Sequence, residues 1–464
     1  MSDEGLRASI EKMRDEGVAE AAIRAFEHYY RQLEAGETGL MPEDSIEPVT
    51  DLPALDELPH DPDAERDALQ KAIVLRLNGG LGTSMGLTRA KSLLEAKDGL
   101  SFLDVIARQV LALRSEHDAR LPLVLMDSFS TREDSLAALA GYEELDAGLP
   151  LDFLQNKEPK ILVEDLTPVS WPPDPALEWC PPGHGDLYTA LVTSGMLADL
   201  LERRFEYAFV ANSDNLGAVL EPRILVWLRA ERIPFLMEVT DRTEADRKGG
   251  HVARRRADGR LVLRETAQTP EEDLDALQDI GRHRYVNTNN LWVDLRALDA
   301  AMRERDDVLG LPMIRNQKTV DPSDKSSPAV YQLETAMGAA IEVFEGARAL
   351  HVPRTRFAPV KTTDDLLALR SDAYRLTDSA RVELAPERDG HAPFVALDSD
   401  YFKLLRDFEA RFEHGPPSLA ACNRLEVEGD VRFGANVVVR GEVTVRQEGD
   451  EPLVIDDGAV LGAR

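Results

Sequence analysis

The sequence predicts an α/β protein whose central sheet is mostly parallel and whose last residues form a small parallel β-helix. Two observations predict the sheet: short apolar runs alternate with stretches of helical periodicity, and polar or glycine-rich turns follow the runs. One observation predicts the β-helix: near the C-terminus β-branched residues alternate along the chain, punctuated by Gly and Asn. In open parallel sheets ligands bind at the carboxyl ends of the strands, so the turns are where we expect chemistry.

The N-terminal part predicts a helix followed by an extended connection. Apolar residues such as Leu6, Ile10 and Met13 recur at three- and four-residue spacing through residues 3–35, which indicates a helix. Residues 37–66 are rich in Pro, Asp and Glu and indicate an extended segment on the surface.

The sheet begins after Ala72. Apolar runs that predict buried strands, and one stretch that predicts a helix, follow in this order: Ile73–Leu77, the helical stretch Phe102–Arg114, Leu121–Met126, Tyr207–Val210 and Ile233–Val239. The turns after these runs contain Gly79, Asp127 and Asp214, so the predicted ligand edge of the sheet is rich in polar groups.

The composition limits the partners. A net charge of −31 over 464 residues repels nucleic-acid backbones and anionic membranes, so we expect neither as a partner. Cys180 and Cys422 lie far apart without a CxxC motif, so neither a zinc site nor a disulfide framework is indicated. The charged N-terminus lacks the apolar core of a signal peptide, and no apolar stretch is long enough to span a membrane, which predicts a cytoplasmic protein.

The turn after the first predicted strand is the strongest candidate for a ligand site. Leu77 and Asn78 lead into Gly79 and Gly80, with further glycines at Gly82 and Gly86. Glycines allow positive φ and let a ligand approach the backbone N–H groups, which is how loops cradle phosphate. The spacing fits neither the P-loop, which needs Lys-Ser/Thr directly after its last glycine, nor the dinucleotide fingerprint, because Met85 stands where its third glycine belongs.

Lys91 follows five residues after the last glycine of this turn. A lysine here can neutralise charge that builds on a phosphate during attack. The alternative is a solvated surface lysine, which is less favoured because this chain uses arginine for most of its positive charge.

Three further clusters point to the same chemistry. Asp214, after the strand at Tyr207–Val210, is either a magnesium ligand or part of an ordinary Asx turn. The amides of Asn287–Asn290 suit sugar hydroxyls, or they form a turn that bonds its own backbone. His184 lies between two glycines, and the residues alone leave it evenly balanced between a ligand contact and a plain turn histidine.

Seven motifs, in order along the chain, resemble the eukaryotic-type family of UTP–glucose-1-phosphate uridylyltransferases. They are the glycine turn with Lys91 and Ser92, Phe153–Lys157, Pro182–Asp186, Asn212–Ala218, Asn287–Trp292, Gln332–Ala336 and Arg356–Leu366. The likeness covers roughly residues 65–464 and implies a nucleotide-diphospho-sugar transferase fold, Rossmann-like with a mixed, mostly parallel sheet, and a C-terminal left-handed parallel β-helix.

The resemblance also implies roles for single residues. Lys91 and Lys361 are the expected catalytic residues, and Asp214 is the expected ligand of Mg²⁺. The expected nucleotide-binding residues are Leu77, Asn78, Gly79, Gly80, Gln155 and Gly183, and the expected substrate-binding residues are His184, Asn212, Asn289 and Glu334. Asn287 is a close second to Asn289 as the sugar contact, and Lys318 is a weaker candidate for phosphate. Without the resemblance, Gln155 and Lys361 would be taken for ordinary surface residues.

The expected reaction is in-line attack of glucose 1-phosphate on the α-phosphorus of UTP, with release of pyrophosphate. The attacking phosphate is already ionised at neutral pH, so no general base is needed, and catalysis consists of positioning and charge neutralisation. Two alternatives stay open: a sister enzyme for galactose 1-phosphate or an N-acetylhexosamine 1-phosphate, and a non-catalytic homologue that binds a UDP-sugar.

One departure from the family affects the loop before the catalytic lysine. The family usually has Gly-Pro there, whereas this chain has Arg89-Ala90. Either the loop gains mobility without the proline, or Arg89 adds a phosphate contact.

We therefore divide the chain into an N-terminal helical and extended segment (1–66), a catalytic nucleotidyltransferase domain (67–410) and a C-terminal β-helix (411–464). An exposed coil of such a helix is a template for another chain, so it is either a simple cap or a module for homo-oligomerisation, and we favour the second.

Overall fold

The computed structural model describes residues 2–449 and 451–462. Its α-helices are α1 Ser2–Asp15, α2 Glu20–Glu34, α3 Pro62–Leu69, α4 Phe102–His117, α5 Arg132–Leu139, α6 Leu187–Thr193, α7 Met196–Glu202, α8 Pro222–Glu231, α9 Leu274–Gln278, α10 Leu295–Glu304, α11 Thr363–Arg370, α12 Ser399–Phe402 and α13 Leu405–Arg411.

The strands are β1 Ile46–Pro48, β2 Ala72–Leu77, β3 Glu95–Lys97, β4 Leu100–Ser101, β5 Leu123–Asp127, β6 Asp152–Leu154, β7 Glu158–Pro159, β8 Ile161–Leu162, β9 Trp179–Cys180, β10 Tyr207–Asn212, β11 Phe235–Asp241, β12 His251–Arg255, β13 Leu261–Arg264, β14 Tyr285–Asp294, β15 Met313–Thr319, β16 Ala329–Thr335, β17 Arg348–His351, β18 Tyr374–Leu376, β19 Val382–Leu384, β20 Phe394–Leu397, β21 Cys422–Glu428, β22 Val431–Phe433, β23 Val438–Val439, β24 Gly441–Arg446, β25 Leu453–Ile455 and β26 Val460–Leu461.

The central element is a mixed sheet. Strands β10, β2, β5 and β6 lie side by side and are parallel, as the alternation of apolar runs and helices predicts. The long strand β14 pairs antiparallel with β10 on one side and with β11 on the other, and β17 runs parallel to β11. The predicted α/β class with a largely parallel sheet is confirmed, and the antiparallel insertion of β14 is what the apolar runs did not reveal.

Both faces of the sheet are buried, which explains why its strands are continuously apolar. Along β2, Val74 belongs to one hydrophobic cluster with Phe209 and Trp292, whereas its neighbours Ile73 and Leu75 belong to the cluster on the opposite face. Successive side chains of a strand point to opposite faces, so a strand covered on both sides needs apolar residues at every position. Pairing of Leu77 with Asn212 brings the carboxyl ends of β2 and β10 side by side.

The N-terminal prediction of one helix over residues 3–35 is wrong. Helix α1 ends at Asp15, and α2 begins at Glu20. Gly17 has a φ of +70°, and the N–H of Val18 donates back to the carbonyl of Met13 at 3.0 Å, so a glycine-terminated C-cap ends the first helix. The two helices then fold back and pack their apolar faces together.

The last residues form three short parallel sheets. Strand β21 lies between β20 and β24, β22 pairs with β25, and β23 pairs with β26, all in parallel. Buried residues of these strands, such as Leu425 and Phe433, join the same hydrophobic cluster as Phe402 of α12 and Leu367 of α11. Over the described residues, no helix is long and apolar enough to cross a membrane.

Candidate active site

The glycine turn after β2 is held in place by buried polar groups. The Asn78 side chain is buried, and its Nδ2 donates to Asp127 Oδ1 at 2.7 Å and to Ser135 Oγ at 2.8 Å. Ser128 Oγ donates to the carbonyl of Gly79 at 3.0 Å. Burial raises the pKa of the Asp127 carboxyl to about 6, because the charged form loses its solvation. Asn78 was expected to bind nucleotide, but its amide nitrogen is engaged within the protein.

The two glycines of the turn meet different surroundings. A side chain at Gly79 would come within 2.8 Å of Gln155 Oε1, so the absence of a side chain lets the Gln155 amide lie against the turn. A side chain at Gly80 would meet no atom within 4 Å, so that part of the turn borders open space. The backbone N–H of Gln155 donates to the carbonyl of Asp127 at 2.8 Å, which fixes Gln155 beside the turn. The structure therefore brings together Gly79 and Gln155, both expected nucleotide-binding residues.

Lys91 and Asp214 form an ion pair beside the turn. Lys91 Nζ lies 2.8 Å from Asp214 Oδ2, and the two side chains are 16% and 23% exposed. The backbone N–H of Lys91 donates to the carbonyl of Gly80 at 3.0 Å, and its side chain packs under Gly82, whose φ is +65°. The two residues, 123 positions apart, thus share one edge of the sheet, as their places after β2 and β10 predict.

The loop before Lys91 has the backbone of a proline-containing loop without the proline. Ala90 has φ −53° and ψ 128°, which lies within the range that proline imposes. The Arg89 side chain is exposed, and within the described chain it makes no hydrogen bond or ion pair. The exposed Arg89 is thus free to add a phosphate contact, which is one of the two consequences considered for Arg89-Ala90.

Lys361 reaches the same region from another part of the chain. The N–H of Val360 donates to the carbonyl of Asp214 at 3.0 Å, and the N–H of Lys361 donates to Asp365 Oδ2 at 2.7 Å. The Lys361 side chain is exposed, and its Nζ has no hydrogen bond or ion pair to any residue that the structure describes. The backbone beside Lys361 thus contacts that of Asp214, and the Lys361 cation acts on the nearby carboxylates of Glu265 and Asp365 without a hydrogen bond or ion pair to either.

Two buried ionic residues support these loops, and neither was expected from the sequence. Glu238, fully buried in β11, accepts hydrogen bonds from Trp292 Nε1 at 2.9 Å and Asn290 Nδ2 at 3.0 Å and pairs with Arg356 at 2.6 Å. Arg76 of β2 donates hydrogen bonds to the carbonyls of Asn212, Asn215 and Ala218, and these bonds hold the turn after β10 in place. The signal was available: each is a charged residue within an otherwise apolar strand, where a charge must be paired.

The loop that contains His184 packs tightly against β16. Gly183 has a φ of +78°, and a side chain there would lie 2.6 Å from the carbonyl oxygen of Thr335. The N–H of Met337 donates to His184 Nδ1 at 3.0 Å, so the proton of the neutral ring is on Nε2. Neighbouring protein groups desolvate the charged ring and so lower the pKa of His184, which favours the neutral ring, and the exposed residue leaves Nε2–H as a donor for a ligand oxygen.

The expected sugar contacts lie on β14 and β16. Asn289 has a φ of +57°, and Asn287 and Asn289 bond each other: Asn287 Nδ2 donates to Asn289 Oδ1, and the N–H of Asn289 donates to Asn287 Oδ1, each at 2.9 Å. Glu334 lies beside Gly183, with Lys318 Nζ 3.5 Å from its Oε1. Among the substrate-binding residues expected from the sequence, the structure thus groups Glu334 with the His184 loop, while Asn212 lies at the end of β10 before Asp214.

The residues fit a magnesium ion that is shared with a phosphate ligand. Within the described residues, no three His, Cys, Asp or Glu side chains cluster as an all-protein metal site. Asp214 supplies one carboxylate, and Mg²⁺ is typically held by one or two carboxylates together with substrate phosphates and water. The donor set therefore suits a metal that arrives with a nucleotide.

Comparison with known proteins agrees with this geometry. A profile of the UTP–glucose-1-phosphate uridylyltransferase family matches residues 23–440. The chain belongs to this family. It is 41% identical over 406 residues to the UTP–glucose-1-phosphate uridylyltransferase of Solanum tuberosum, covering 87% of this chain and 83% of that one.

Two solved structures extend the likeness to nearly the whole chain. A mutant UDP-glucose pyrophosphorylase from Leishmania major, in complex with UDP-glucose, is 49% identical, with a TM-score of 0.94 over 98% of both chains. A UDP-glucose phosphorylase from Trypanosoma brucei is 46% identical, with a TM-score of 0.92, covering 99% of this chain and 98% of that one.

Proposed function

We propose that this protein transfers the uridylyl group of UTP to glucose 1-phosphate, giving UDP-glucose and pyrophosphate. The observation that carries the proposal is the Lys91–Asp214 pair beside the glycine turn, 2.8 Å between Nζ and Oδ2, in a chain of the uridylyltransferase family. The names of the relatives support the substrates, because they act on UTP and glucose 1-phosphate or are bound to UDP-glucose.

The chemistry needs placement and positive charge. An oxygen of glucose 1-phosphate attacks the α-phosphorus of UTP, a new P–O bond forms, and the bond to the leaving pyrophosphate breaks. Lys91 is positioned to neutralise charge that develops on the α-phosphate, and Lys361, exposed and unpaired within the described chain, is free to bind the incoming sugar phosphate. Gly80 borders the open space where the triphosphate would lie, and Gln155 faces Gly79, where its amide can bind the edge of uracil.

Asp214 is the proposed ligand of Mg²⁺. A bound magnesium ion would supply positive charge to the phosphate oxygens. In the structure Asp214 is paired with Lys91. A metal bound to Asp214 would separate the pair and leave Lys91 to contact a phosphate of the nucleotide. The proposed contacts to the sugar and its phosphate are His184 Nε2–H, Asn289 and Glu334. The proposed contacts to the nucleotide are Gly183 and the backbone of Leu77 to Gly80.

The test is a pyrophosphate-release assay of the purified chain with UTP and glucose 1-phosphate, with and without magnesium. We expect UDP-glucose and pyrophosphate in equal amounts and no turnover once the metal is chelated. A panel with galactose 1-phosphate and N-acetylhexosamine 1-phosphates sets the sugar preference. Absence of pyrophosphate with every sugar phosphate would overturn the proposal in favour of a non-catalytic UDP-sugar-binding protein.

The proposal extends to the organisation of the chain. We propose a catalytic domain over 67–410, preceded by the helical and extended segment 1–66 and followed by a left-handed β-helix over 411–464. Parallel pairing of Leu425 with Val443 and of Val438 with Val460 supports successive coils stacked in register. Val454 and Val460 are exposed on the last described coil, and we propose this face as the contact of a homo-oligomer, which light scattering of the full chain would test.

A further inference from the structure

Asp186 is a buried carboxylate that the proposed reaction does not use. It lies two residues after His184, and it accepts two hydrogen bonds from Asn156: one from the backbone N–H at 2.6 Å and one from Nδ2 at 2.8 Å. Asn156 is held from its other side, where Thr193 Oγ1 donates to its Oδ1 at 3.2 Å. The Asp186 carboxylate therefore joins two segments that are 30 residues apart in sequence.

Each of these segments ends at a different part of the proposed site. Asn156 directly follows Gln155, whose N–H donates to the carbonyl of Asp127 at 2.8 Å and whose side chain lies against Gly79. Asp186 closes the loop of Gly183 and His184, and its own N–H donates to the carbonyl of Gly183 at 3.2 Å. A shift at Asp186 would thus move the uracil-side amide relative to the histidine loop.

We infer that Asp186 is a positioning residue that fixes the Gln155–Asn156 segment against the Gly183–Gly185 loop and so sets the affinity for the uridine nucleotide. The inference rests on the proposed function. It assigns no contact between Asp186 and the substrate, because the carboxylate is directed at Asn156 and the residue is only 5% exposed.

The surroundings of Asp186 contain few compensating charges. A small cavity of about 30 Å³, enough for about one water, lies beside it and is lined by Phe26 and Tyr29 of α2. Glu158 lines the same cavity, and its Oε1 has no partner among the described residues. The titratable and charged groups that face this region are Tyr29, Glu158, Glu334, the neutral His184 and Lys157, with Lys160, Lys318 and Cys180 around Glu158. Lys157 lines the cavity, and its Nζ is paired with Glu16 Oε2 at 2.7 Å.

Protonation of Asp186 gives the inference a pH signature. Burial raises the pKa of this carboxyl to about 6, while the two hydrogen bonds from Asn156 oppose the rise. Below that pH the protonated carboxyl accepts less strongly from Asn156, so we expect the KM for UTP to increase as the pH falls through 6.

A swap of the two side chains tests the pair directly. In Asn156→Asp two buried carboxylates face each other, and we expect the KM for UTP to rise about tenfold or more. In Asp186→Asn one bond is lost, and we expect a rise of about threefold. The double variant Asn156→Asp/Asp186→Asn restores the side-chain bond with donor and acceptor exchanged, because the amide introduced at position 186 can donate to the carboxylate introduced at position 156. We therefore expect its KM to lie within about twofold of the wild type.

Glu158→Gln is the matched control. Glu158 lines the same cavity, burial raises its pKa well above the usual range, and glutamine reproduces its neutral form. We expect an unchanged KM for UTP in this variant. We also expect the wild-type KM to rise below pH 6 and the KM of Asp186→Asn to stay flat there.

The outcomes separate the two ideas. Thermal unfolding of each variant shows whether it is folded, and the double variant keeps the test informative if a single variant is not. A double variant no better than Asn156→Asp, or an Asp186→Asn enzyme with the wild-type KM and pH profile, overturns the positioning role. If the wild type makes no UDP-glucose, the proposed function fails, and the Asn156–Asp186 coupling is then measured through the Kd for UTP.

Discussion

The two lysines of the cleft lie in contrasting surroundings. Lys91, at the end of the glycine turn, is mostly buried, paired with Asp214 and bonded through its backbone to Gly80. Lys361 is exposed, and only its backbone is held, by Asp365. The turn is held from below by the buried hydrogen bonds of Asn78 and Ser128, whereas the segment around Lys361 presents a cation that makes no hydrogen bond or ion pair within the described residues.

This contrast separates two tasks. A charge that is already held in place needs little reorganisation when charge develops at the reacting phosphorus, so Lys91, fixed by its backbone bond to Gly80, suits the transition state. A free lysine on a flexible stem suits capture of a second anionic substrate, since it gives up no existing bond to bind. Lys91 should therefore act mainly on kcat, and Lys361 mainly on the KM for the sugar phosphate.

The largest effect is expected from Lys91→Ala. Loss of one preorganised donor at a developing negative charge lowers kcat by about 10²- to 10³-fold, with a much smaller change in the KM for UTP. Steady-state kinetics with varied UTP measure both. Lys325→Ala, an exposed lysine far along the chain, is the control that should behave as wild type. A Lys91→Ala enzyme with the wild-type kcat would remove Lys91 from the chemistry.

The buried carboxyl of Asp127, beneath the glycine turn, predicts that the stability of the folded chain depends on pH. The pKa of Asp127 is about 6 in the folded chain against an ordinary 3.8. The folded state holds the proton that the unfolded state releases, so the free energy of unfolding decreases as the pH rises from about 3 to about 7, by about 3 kcal/mol in all. The Asp127→Asn variant has no carboxyl at this position, so its free energy of unfolding does not undergo this decrease.

Urea unfolding of both proteins at pH 4 and pH 7 checks the sign. The variant should gain about 2 kcal/mol relative to wild type between these two pH values, whatever its absolute stability, because the unfolded carboxyl is already partly ionised at pH 4. A difference between the two proteins that does not change with pH would mean that Asp127 does not titrate in this range.

The positions of Lys91 and Asp214 at one edge of the sheet could be predicted from the sequence because they depend on strand order and alternation. An apolar run followed by a polar turn places that turn at the carboxyl end of a strand, whatever the loops do. The ion pair of Glu238 with Arg356, which supports these turns, could not be predicted. The two residues are 118 positions apart in sequence, and no local pattern encodes a pairing over such a separation.

In the N-terminal helices, by contrast, a local signal was present in the sequence, but the apolar periodicity outweighed it. Its apolar spacing continues across residues 16–19, so periodicity alone predicts one helix, although Gly17 is a recognisable C-cap residue. Asn78 could be predicted at the ligand edge, but the use of its amide by Asp127 and Ser135 depends on side-chain directions that only the folded chain defines.

A smaller effect is expected from Lys361→Ala. Removal of the free cation should raise the KM for glucose 1-phosphate about tenfold, with kcat lowered by less than for Lys91→Ala, because the interaction is made in the ground state as well. Lys361→Arg keeps the charge and should recover most of the affinity. If instead kcat falls and both KM values stay the same, Lys361 contributes to the transition state like Lys91.

The smallest effect tests the loop before Lys91. Ala90 already has a φ of −53°, and no described residue accepts a hydrogen bond from its N–H, so Ala90→Pro should fit without strain and stabilise the folded chain by about 0.4–1 kcal/mol through the unfolded state. Turnover should not change.

Arg89→Ala should raise the KM for UTP about threefold, more at low salt than at high salt, because an exposed cation is screened. If Ala90→Pro alters the KM for UTP and Arg89→Ala does not, loop mobility rather than the added charge distinguishes this chain from its family.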